Sequence, residues 1–204
     1  MLGVEIGEGF WFPEKTAEIT ASFPFDAVLG SVHAVRLEGL SMPYSLIDFS
    51  NFSEAALHRL LAQYFEDMLA MAEDMDFDIL THLTCPLRYI NGKYRKSISY
   101  APYLPGIERL LKKIISRGIA LELNASGLGT PWNTLMPDQR ILELYRTLGG
   151  TLITLGSDSH TADRTGYGLA EAAKLLKRCG FSGYAYYLSL IHIYLSGISA
   201  YQAA

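Results

Sequence analysis

The sequence lacks the features that mark secreted, membrane-spanning and nucleic-acid-binding proteins. Its two cysteines, Cys85 and Cys179, are too few and too far apart in the chain to form a disulfide framework. No run of about 18 uncharged apolar residues predicts a membrane span, and no basic start with an apolar stretch predicts a secretion signal. The net charge of −4 does not favour binding to nucleic acid or to an anionic membrane. We therefore predict a cytoplasmic protein with neither of these partners.

What the sequence does contain indicates one globular α/β domain. Its 204 residues, of which 50% are apolar and 19% charged, are enough for one buried core. Short apolar runs alternate with amphipathic patterns, which is typical of βα units around a mostly parallel sheet. The predicted strands are 2–6, 27–35, 77–83, 119–123, 152–155 and 183–187. Four helices are predicted. The first covers 54–75 with Ser53 as its N-cap, and the last covers 169–177. Between them, one helix begins at Pro105 and ends at Gly118, and another begins at Pro137 and ends at Gly149. A long loop is predicted from Arg88 to Tyr103.

Three of the five histidines lie at or just after the ends of predicted strands. They are His33, His82 and His160, and Glu5 lies in the carboxyl half of the first strand. Because sites in parallel α/β folds gather at the carboxyl ends of strands, we expect these side chains to converge. Asp158, two residues before His160, would point to the same side on an extended segment. Imidazoles and carboxylates together predict a site for divalent metal ions.

Each of these residues also has a simpler interpretation. A single histidine at a strand end is more often a hydrogen-bonded core residue than a ligand, and one Asp-x-His triplet is a weak motif. Glu8 is an alternative to Glu5, since the two lie on different faces of the strand, and His58 is expected to be solvated on its helix. The complete set favours metal, because each buried polar group needs a partner and few structural roles would require all of them.

Five short segments make the sequence resemble the histidinol-phosphatase branch of the PHP superfamily. They occur in the family's order, and the resemblance extends over residues 1–187. The segments are Gly3-Val4-Glu5-Ile6-Gly7, Gly30-Ser31-Val32-His33, Thr81-His82-Leu83 with Pro86-Leu87-Arg88-Tyr89, Leu121-Glu122-Leu123-Asn124 and Gly156-Ser157-Asp158-Ser159-His160.

The resemblance implies a fold, an activity and a ligand set. The fold is a distorted (β/α)7 TIM-like barrel holding up to three divalent ions, which are zinc, iron or manganese. The activity is hydrolysis of a phosphate monoester. The first candidate substrate is L-histidinol phosphate, which would give L-histidinol and phosphate in histidine biosynthesis. Another phosphomonoester or a nucleotide is the alternative substrate. The implied metal ligands are Glu5, His33, His82, Asp158 and His160. We predict Asp158, His160 and Arg88 as the catalytic residues.

Basic residues after the third strand are the candidate substrate contacts. Arg88 is predicted to hold phosphate, since a planar guanidinium can bind two of its oxygens at once. The alternative is a loop arginine paired with a surface carboxylate. Lys93 and Arg95, with Lys96, are predicted to draw an anionic substrate inward, although a basic loop is usually only solvated. Glu122 is predicted to orient a ligand histidine from behind.

The sequence departs from the family pattern at both ends. Family members begin with a strand ending in His-x-His and a second strand ending in Asp-His, and neither motif is present. We therefore expect a partial barrel that lacks its first βα units and binds metal less completely. An inactive metal-binding fragment is the alternative to an enzyme.

The C-terminal segment also differs from the family. Residues 188–193, Leu-Ser-Leu-Ile-His-Ile, match the translation of a common sequencing adapter. We predict that the phosphatase domain covers 1–187 and that 188–204 is a non-native tail. The alternative is an ordinary apolar strand or helix containing His192.

Overall fold

A parallel β-sheet forms the centre of the fold. The computed structural model describes the backbone of residues 2–188 and 191–196 and the side chains of residues 2–187. Five parallel strands form the main sheet in the order β1-β2-β5-β6-β7, and two antiparallel hairpins, β3-β4 and β8-β9, accompany it. The strands are β1 (Gly3–Gly7), β2 (Ala27–Ser31), β3 (Ala34–Leu37), β4 (Leu40–Pro43), β5 (Ile79–Leu80), β6 (Ala120–Asn124), β7 (Ile153–Gly156), β8 (Gly183–Leu188) and β9 (Ile191–Ser196).

Helices between the strands supply a large part of the core. They are α1 (Pro13–Ser22), α2 (Glu54–Asp74), the single turn α3 (Cys85–Leu87), α4 (Leu104–Arg117), α5 (Gln139–Thr147) and α6 (Leu169–Arg178). The Ser53 hydroxyl caps α2 by accepting the backbone N–H of Ala56 at 3.2 Å, as the sequence predicts. Gly118 ends α4 with a φ of 69°, which a residue with a side chain rarely adopts. The apolar faces of α2 and α4 pack against one another in the main core.

We expect replacement of Leu61 in α2 by alanine to destabilise the fold by about 2–5 kcal/mol. The Leu61 side chain is completely buried, so the truncation leaves a cavity in addition to the lost burial. Leu69→Ala is the matched control, because Leu69 lies on the same helix and is only partly buried. Urea unfolding of both variants measures the difference, and equal losses of stability would contradict this account of the core.

The predicted strand 27–35 is wrong in its second half. The strand in the main sheet ends at Ser31, and Ala34 already belongs to the hairpin β3-β4. The Glu8 carboxylate causes the break by accepting the backbone N–H groups of His33 and Ala34, which removes both from the sheet ladder. His33 therefore lies in a turn at the carboxyl edge of the sheet.

The predicted strand 77–83 is shorter in the structure, where only Ile79–Leu80 is a strand. Its flanking residues still bond to β2, since Asp78 N–H donates to Val28 O at 2.8 Å and Thr81 N–H to Gly30 O at 3.1 Å. A positive φ of 22° at His82 then turns the chain away.

The structure differs from the sequence prediction in four further elements. The predicted loop 88–103 contains a π-helical turn at Arg88–Lys93, and α1 and the hairpin β3-β4 were not predicted. Helix α5 begins after Asp138, whose carboxylate caps it, rather than at Pro137.

The α/β class with a parallel sheet is confirmed. Hydrogen bonds within residues 2–188 and 191–196 leave this sheet open, with β1 and β7 at its edges. Strand β8 packs near β7, and the Tyr187 hydroxyl donates to Asp78 O at 3.1 Å, which ties the C-terminal hairpin to the sheet. Within this described part, no helix has the length and apolar character needed to span a membrane.

The proposed boundary at residue 187 falls inside the C-terminal hairpin. The backbone of β9 pairs antiparallel with β8, from Leu188 opposite Ile191 to Gly183 opposite Ser196. Residues 189–190 and 197–204 lie outside the described residues, and a non-native origin for 188–204 stays a prediction.

Candidate metal centre and substrate cavity

The carboxyl edge of the sheet brings together three predicted ligands from distant parts of the chain. Glu5 lies in β1, His33 follows β2, and His82 follows β5. These three strands are neighbours and run parallel, so their carboxyl ends meet at one edge. One potential ligand atom from each residue lies within 4.8 Å of the other two.

The three ligand atoms form a nearly equilateral triangle. Glu5 Oε1 lies 3.2 Å from Nε2 of both His33 and His82, and the two Nε2 atoms are 3.0 Å apart. With bonds of about 2.0–2.1 Å, a tetrahedral ion separates its ligand atoms by about 3.3–3.4 Å and an octahedral ion by about 3.0 Å. The triangle therefore fits three ligands on one side of a divalent ion.

The Ser31 hydroxyl orients the His33 ring. It lies 3.2 Å from His33 Nδ1 and donates to Ile6 O at 3.3 Å. Because the single hydroxyl proton is used on Ile6, the serine oxygen accepts from Nδ1–H, so Nε2 faces the triangle and can bind a metal ion once it has lost its proton. A side chain at Gly7 would crowd this ring, since a Cβ there would lie 3.2 Å from Nδ1.

His82 is held through its backbone as well as through its ring. Its N–H donates to Glu122 Oε2 at 2.9 Å, and that oxygen also accepts Asn124 Nδ2 at 3.1 Å. Burial raises the pKa of Glu122 above its ordinary value. Glu122 therefore contacts a candidate ligand histidine at its backbone N–H, and its orienting role stays a prediction.

Charges within the triangle shift the pKa values of its members. Burial by itself would raise the pKa of Glu5, but the imidazoles of His33 and His82 outweigh it and hold this pKa well below its usual range. Burial by itself would lower the pKa of His33, but its bond to Glu5 and the nearby carboxylates raise this pKa above 6.5. The carboxylate is therefore ionised at neutral pH, as a metal ligand must be.

A cavity of about 320 Å³ opens beside the triangle. Its lining includes four of the five predicted ligands, and the fifth, His82, contacts the cavity residue Glu5 from the buried side. The lining residues are Glu5, His33, Ser45, Cys85, Arg88, Tyr89, Asp158 and His160.

Asp158 and His160 lie on another part of the cavity wall from the triangle. The expected extended segment is wrong, because Asp158 has a φ of 47°, which turns the chain between the two residues. The Asp158 side chain is 18% exposed and that of His160 is 82% exposed. His160 Nδ1 donates to the Asp158 carbonyl at 3.1 Å, which leaves Nε2 with its lone pair. Their roles as ligands stay predictions.

Arg88 lies in the same cavity, where several groups hold its guanidinium. Nη1 donates to Ser126 Oγ at 2.6 Å and lies 3.5 Å from Asp158 Oδ2, while Nη2 donates to the Tyr89 hydroxyl at 2.8 Å. With a side chain 22% exposed, Arg88 is anchored on a wall of the cavity and still accessible from it. Its role as a phosphate contact stays a prediction.

The other predicted substrate contacts lie outside the cavity lining. Lys93 and Arg95 are exposed on the loop after Arg88, and Lys96 donates to Ser50 O at 2.9 Å. Their part in substrate binding stays a prediction. Glu8, the alternative to Glu5, binds backbone N–H groups as described above.

Three residues that line the cavity were not predicted as site residues, namely Ser45, Cys85 and Tyr89. Ser45 closely follows the hairpin β3-β4, which was not predicted, and the sequence indicated no role for the Cys85 thiol. Tyr89 stands beside Arg88 in the sequence and was identifiable only as its neighbour. Both cysteines are unpaired and buried, and burial raises the pKa of Cys85 to about 12, so this thiol is not a reactive group.

Comparisons with known proteins identify relatives of this chain. The probable histidinol-phosphatase of Clostridium acetobutylicum is 34% identical over 182 residues, covering 88% of this chain and 68% of the relative. The histidinol-phosphatase of Lactococcus lactis is 28% identical over 182 residues, covering 88% of this chain and 65% of the relative. The crystal structure of the Lactococcus lactis phosphatase, complexed with zinc, L-histidinol and phosphate, has a TM-score of 0.74 at 25% identity, covering 93% of this chain and 70% of that one.

The chain thus spans about two thirds of the length of these two relatives. The family model described as the PHP domain matches residues 1–126, which include Glu5, His33, His82 and Arg88. With more than half of its residues matched by that model, the chain belongs to the PHP domain family.

Proposed function

We propose that this protein is a metal-dependent phosphatase that hydrolyses L-histidinol phosphate to L-histidinol and inorganic phosphate, as a step of histidine biosynthesis. The observation that carries the proposal is the triangle of Glu5, His33 and His82 beside Arg88 in one cavity. A metal-binding group next to a guanidinium suits a doubly charged phosphate ester, because both attract its oxygens.

Each cavity residue has a part in the proposed reaction. Glu5, His33 and His82 hold a divalent ion, which when bound supplies Lewis acidity and positive charge for phosphate hydrolysis. Arg88 binds and orients the phosphate, and the Asp158 carboxylate lies 3.5 Å from its guanidinium. His160, with its Nε2 at the cavity rim, would take a proton from the attacking water and give it to the departing alkoxide.

The relatives support the choice of substrate. The curated relatives of this chain are named as histidinol-phosphatases or probable histidinol-phosphatases, and the Lactococcus lactis protein was crystallised with L-histidinol, phosphate and zinc. The ion in this chain is zinc, iron or manganese in the proposal, with up to three ions if Asp158 and His160 complete the centre. The proposed location is the cytoplasm.

Phosphate release from L-histidinol phosphate by the purified chain tests the proposal directly. The chain is reconstituted with zinc, iron or manganese in turn, and a nucleoside monophosphate and an unrelated phosphomonoester serve as comparison substrates. We expect a kcat/KM for histidinol phosphate at least about tenfold above that for either comparison substrate. A preference for a comparison substrate would identify a different phosphatase, and zinc binding without phosphate release would indicate a metal-binding protein without this activity.

We expect zinc affinity to fall on acidification. The fall should begin at a higher pH than it would for a site whose histidine has an ordinary pKa. Zinc must displace the proton of His33, whose pKa is raised above 6.5, whereas Glu5 is already ionised because its pKa is lowered. Below the raised pKa, affinity should decline by about tenfold per pH unit for each proton displaced. Competition with a chromophoric chelator between pH 6 and 8 measures this slope. A zinc affinity that does not change over this range would contradict the involvement of His33.

A further inference from the structure

We propose that Asn124 and Ser126 are positioning residues that hold the Arg88 guanidinium at a fixed separation from His82. The inference rests on the proposed function, because it takes Arg88 as the phosphate contact and His82 as part of the metal centre. The inference adds a physical connection between Arg88 and His82. In the proposed reaction, the guanidinium and the metal centre must act on the same phosphate.

A continuous row of hydrogen bonds joins Arg88 to His82. Arg88 Nη1 donates to Ser126 Oγ at 2.6 Å, and the Ser126 hydroxyl donates to Asn124 Oδ1 at 2.7 Å. Asn124 Nδ2 donates to Glu122 Oε2 at 3.1 Å, and the same oxygen accepts the His82 N–H at 2.9 Å. The row runs from the wall of the cavity to the peptide that supports the metal-binding imidazole.

The chemistry of the groups fixes the direction of every bond in this row. A guanidinium only donates, so the Ser126 hydroxyl accepts from Arg88 and gives its own proton to Asn124. Because the oxygen of the Asn124 amide is then occupied, its NH₂ group faces Glu122. If one group exchanged its donor and acceptor roles, the next hydrogen bond in the row would break. The orientations of all the groups in the row are therefore coupled.

Asn124 is the rigid member of the row. Its side chain is completely buried at the end of β6, and its backbone N–H and C=O bond to Met136 at 2.8 and 3.0 Å. The Ser126 N–H also donates to Asn124 Oδ1, at 2.9 Å, which fixes the turn that carries the hydroxyl. Without this support, the Tyr89 hydroxyl alone would anchor the guanidinium, which could then close the 3.5 Å gap to Asp158 and withdraw from the phosphate.

The binding of inorganic phosphate to the zinc-loaded 204-residue chain, measured by calorimetry, tests the positioning role. We expect Ser126→Ala to weaken phosphate binding by about fivefold to tenfold, because Arg88 loses a charge-assisted hydrogen bond that orients it. Zinc content should stay unchanged. Ser126→Thr keeps the hydroxyl and should bind phosphate within about twofold of the unmodified chain.

A double-mutant cycle separates positioning from a merely structural effect. In the background of Arg88→Ala, Ser126→Ala should cause no further loss of phosphate affinity, since there is no guanidinium left to position. Additive losses, an unchanged affinity in Ser126→Ala, or an unchanged affinity in Arg88→Ala would each overturn the proposal.

Asn124→Ala extends the test to the middle of the row. We expect it to weaken phosphate binding as Ser126→Ala does and also to lower zinc affinity, since Glu122 loses a partner beside His82. Circular dichroism confirms its fold first, and if it does not fold, the Ser126 and Arg88 variants decide. Hydrolysis of histidinol phosphate is scored separately, so that coupled phosphate binding without hydrolysis would uphold the positioning role and overturn the proposed function.

Discussion

Replacing His33 with alanine is expected to lower the rate of histidinol phosphate hydrolysis by at least about 100-fold and to reduce the zinc bound per chain. The imidazole Nε2 is one corner of the triangle with Glu5 and His82, and two remaining ligands bind an ion more weakly and in a less defined geometry. The His33 side chain is 42% exposed, so its loss should leave the core intact.

His58→Ala is the matched control for this prediction. His58 is also a partly exposed histidine whose Nδ1 contacts a hydroxyl, that of Tyr103 at 2.9 Å, but it lies on helix α2 away from the cavity lining. Its removal should leave both zinc content and rate within about twofold of the unmodified chain. If the two variants lose equal amounts of zinc, the metal centre has been placed at the wrong residues.

Replacing Arg88 with lysine is expected to lower kcat/KM by about 100-fold while the zinc content stays the same. Lysine keeps the positive charge, but it has no planar pair of N–H groups to hold two phosphate oxygens. It also cannot reproduce the two anchors of the guanidinium, Ser126 Oγ and the Tyr89 hydroxyl. The substitution therefore separates phosphate recognition from metal binding.

Arg109→Lys controls for the general effect of this exchange. Arg109 forms an exposed ion pair with Glu66 at 3.0 Å on helix α4, and an exposed pair contributes little to stability. Steady-state kinetics with histidinol phosphate, and metal analysis of the same samples, measure both variants. An unchanged kcat/KM in Arg88→Lys would mean that the site needs only a positive charge at this position.

The residues of the triangle could be predicted because sites in parallel α/β folds gather at the carboxyl ends of strands. This rule needs only the local apolar pattern and a parallel sheet. Apolar runs mark the strands, and the residues that follow a parallel strand emerge at a common edge. Glu5, His33 and His82 could therefore be grouped although 77 positions separate the first from the last. Their choice over other histidines also drew on the resemblance to the PHP superfamily.

The predicted strand bounds were wrong where a distant side chain or a positive φ ends a strand early. Glu8 removes two N–H groups from the ladder after β2, and a positive φ turns the chain at His82. Neither effect is encoded in the apolar pattern of the strand itself. The hairpin β3-β4, which brings Ser45 to the cavity, follows from that interruption.

The sequence by itself determined the α/β class, the main helices and the set of ligand candidates, because periodicity, capping residues and strand ends are local properties. Only the tertiary structure decided which candidates meet. It placed three ligand atoms within 4.8 Å, set Asp158 and His160 apart from them, and joined Arg88 to His82 through Ser126, Asn124 and Glu122. These are contacts between side chains far apart in sequence, and their distances depend on how the whole sheet and its loops pack.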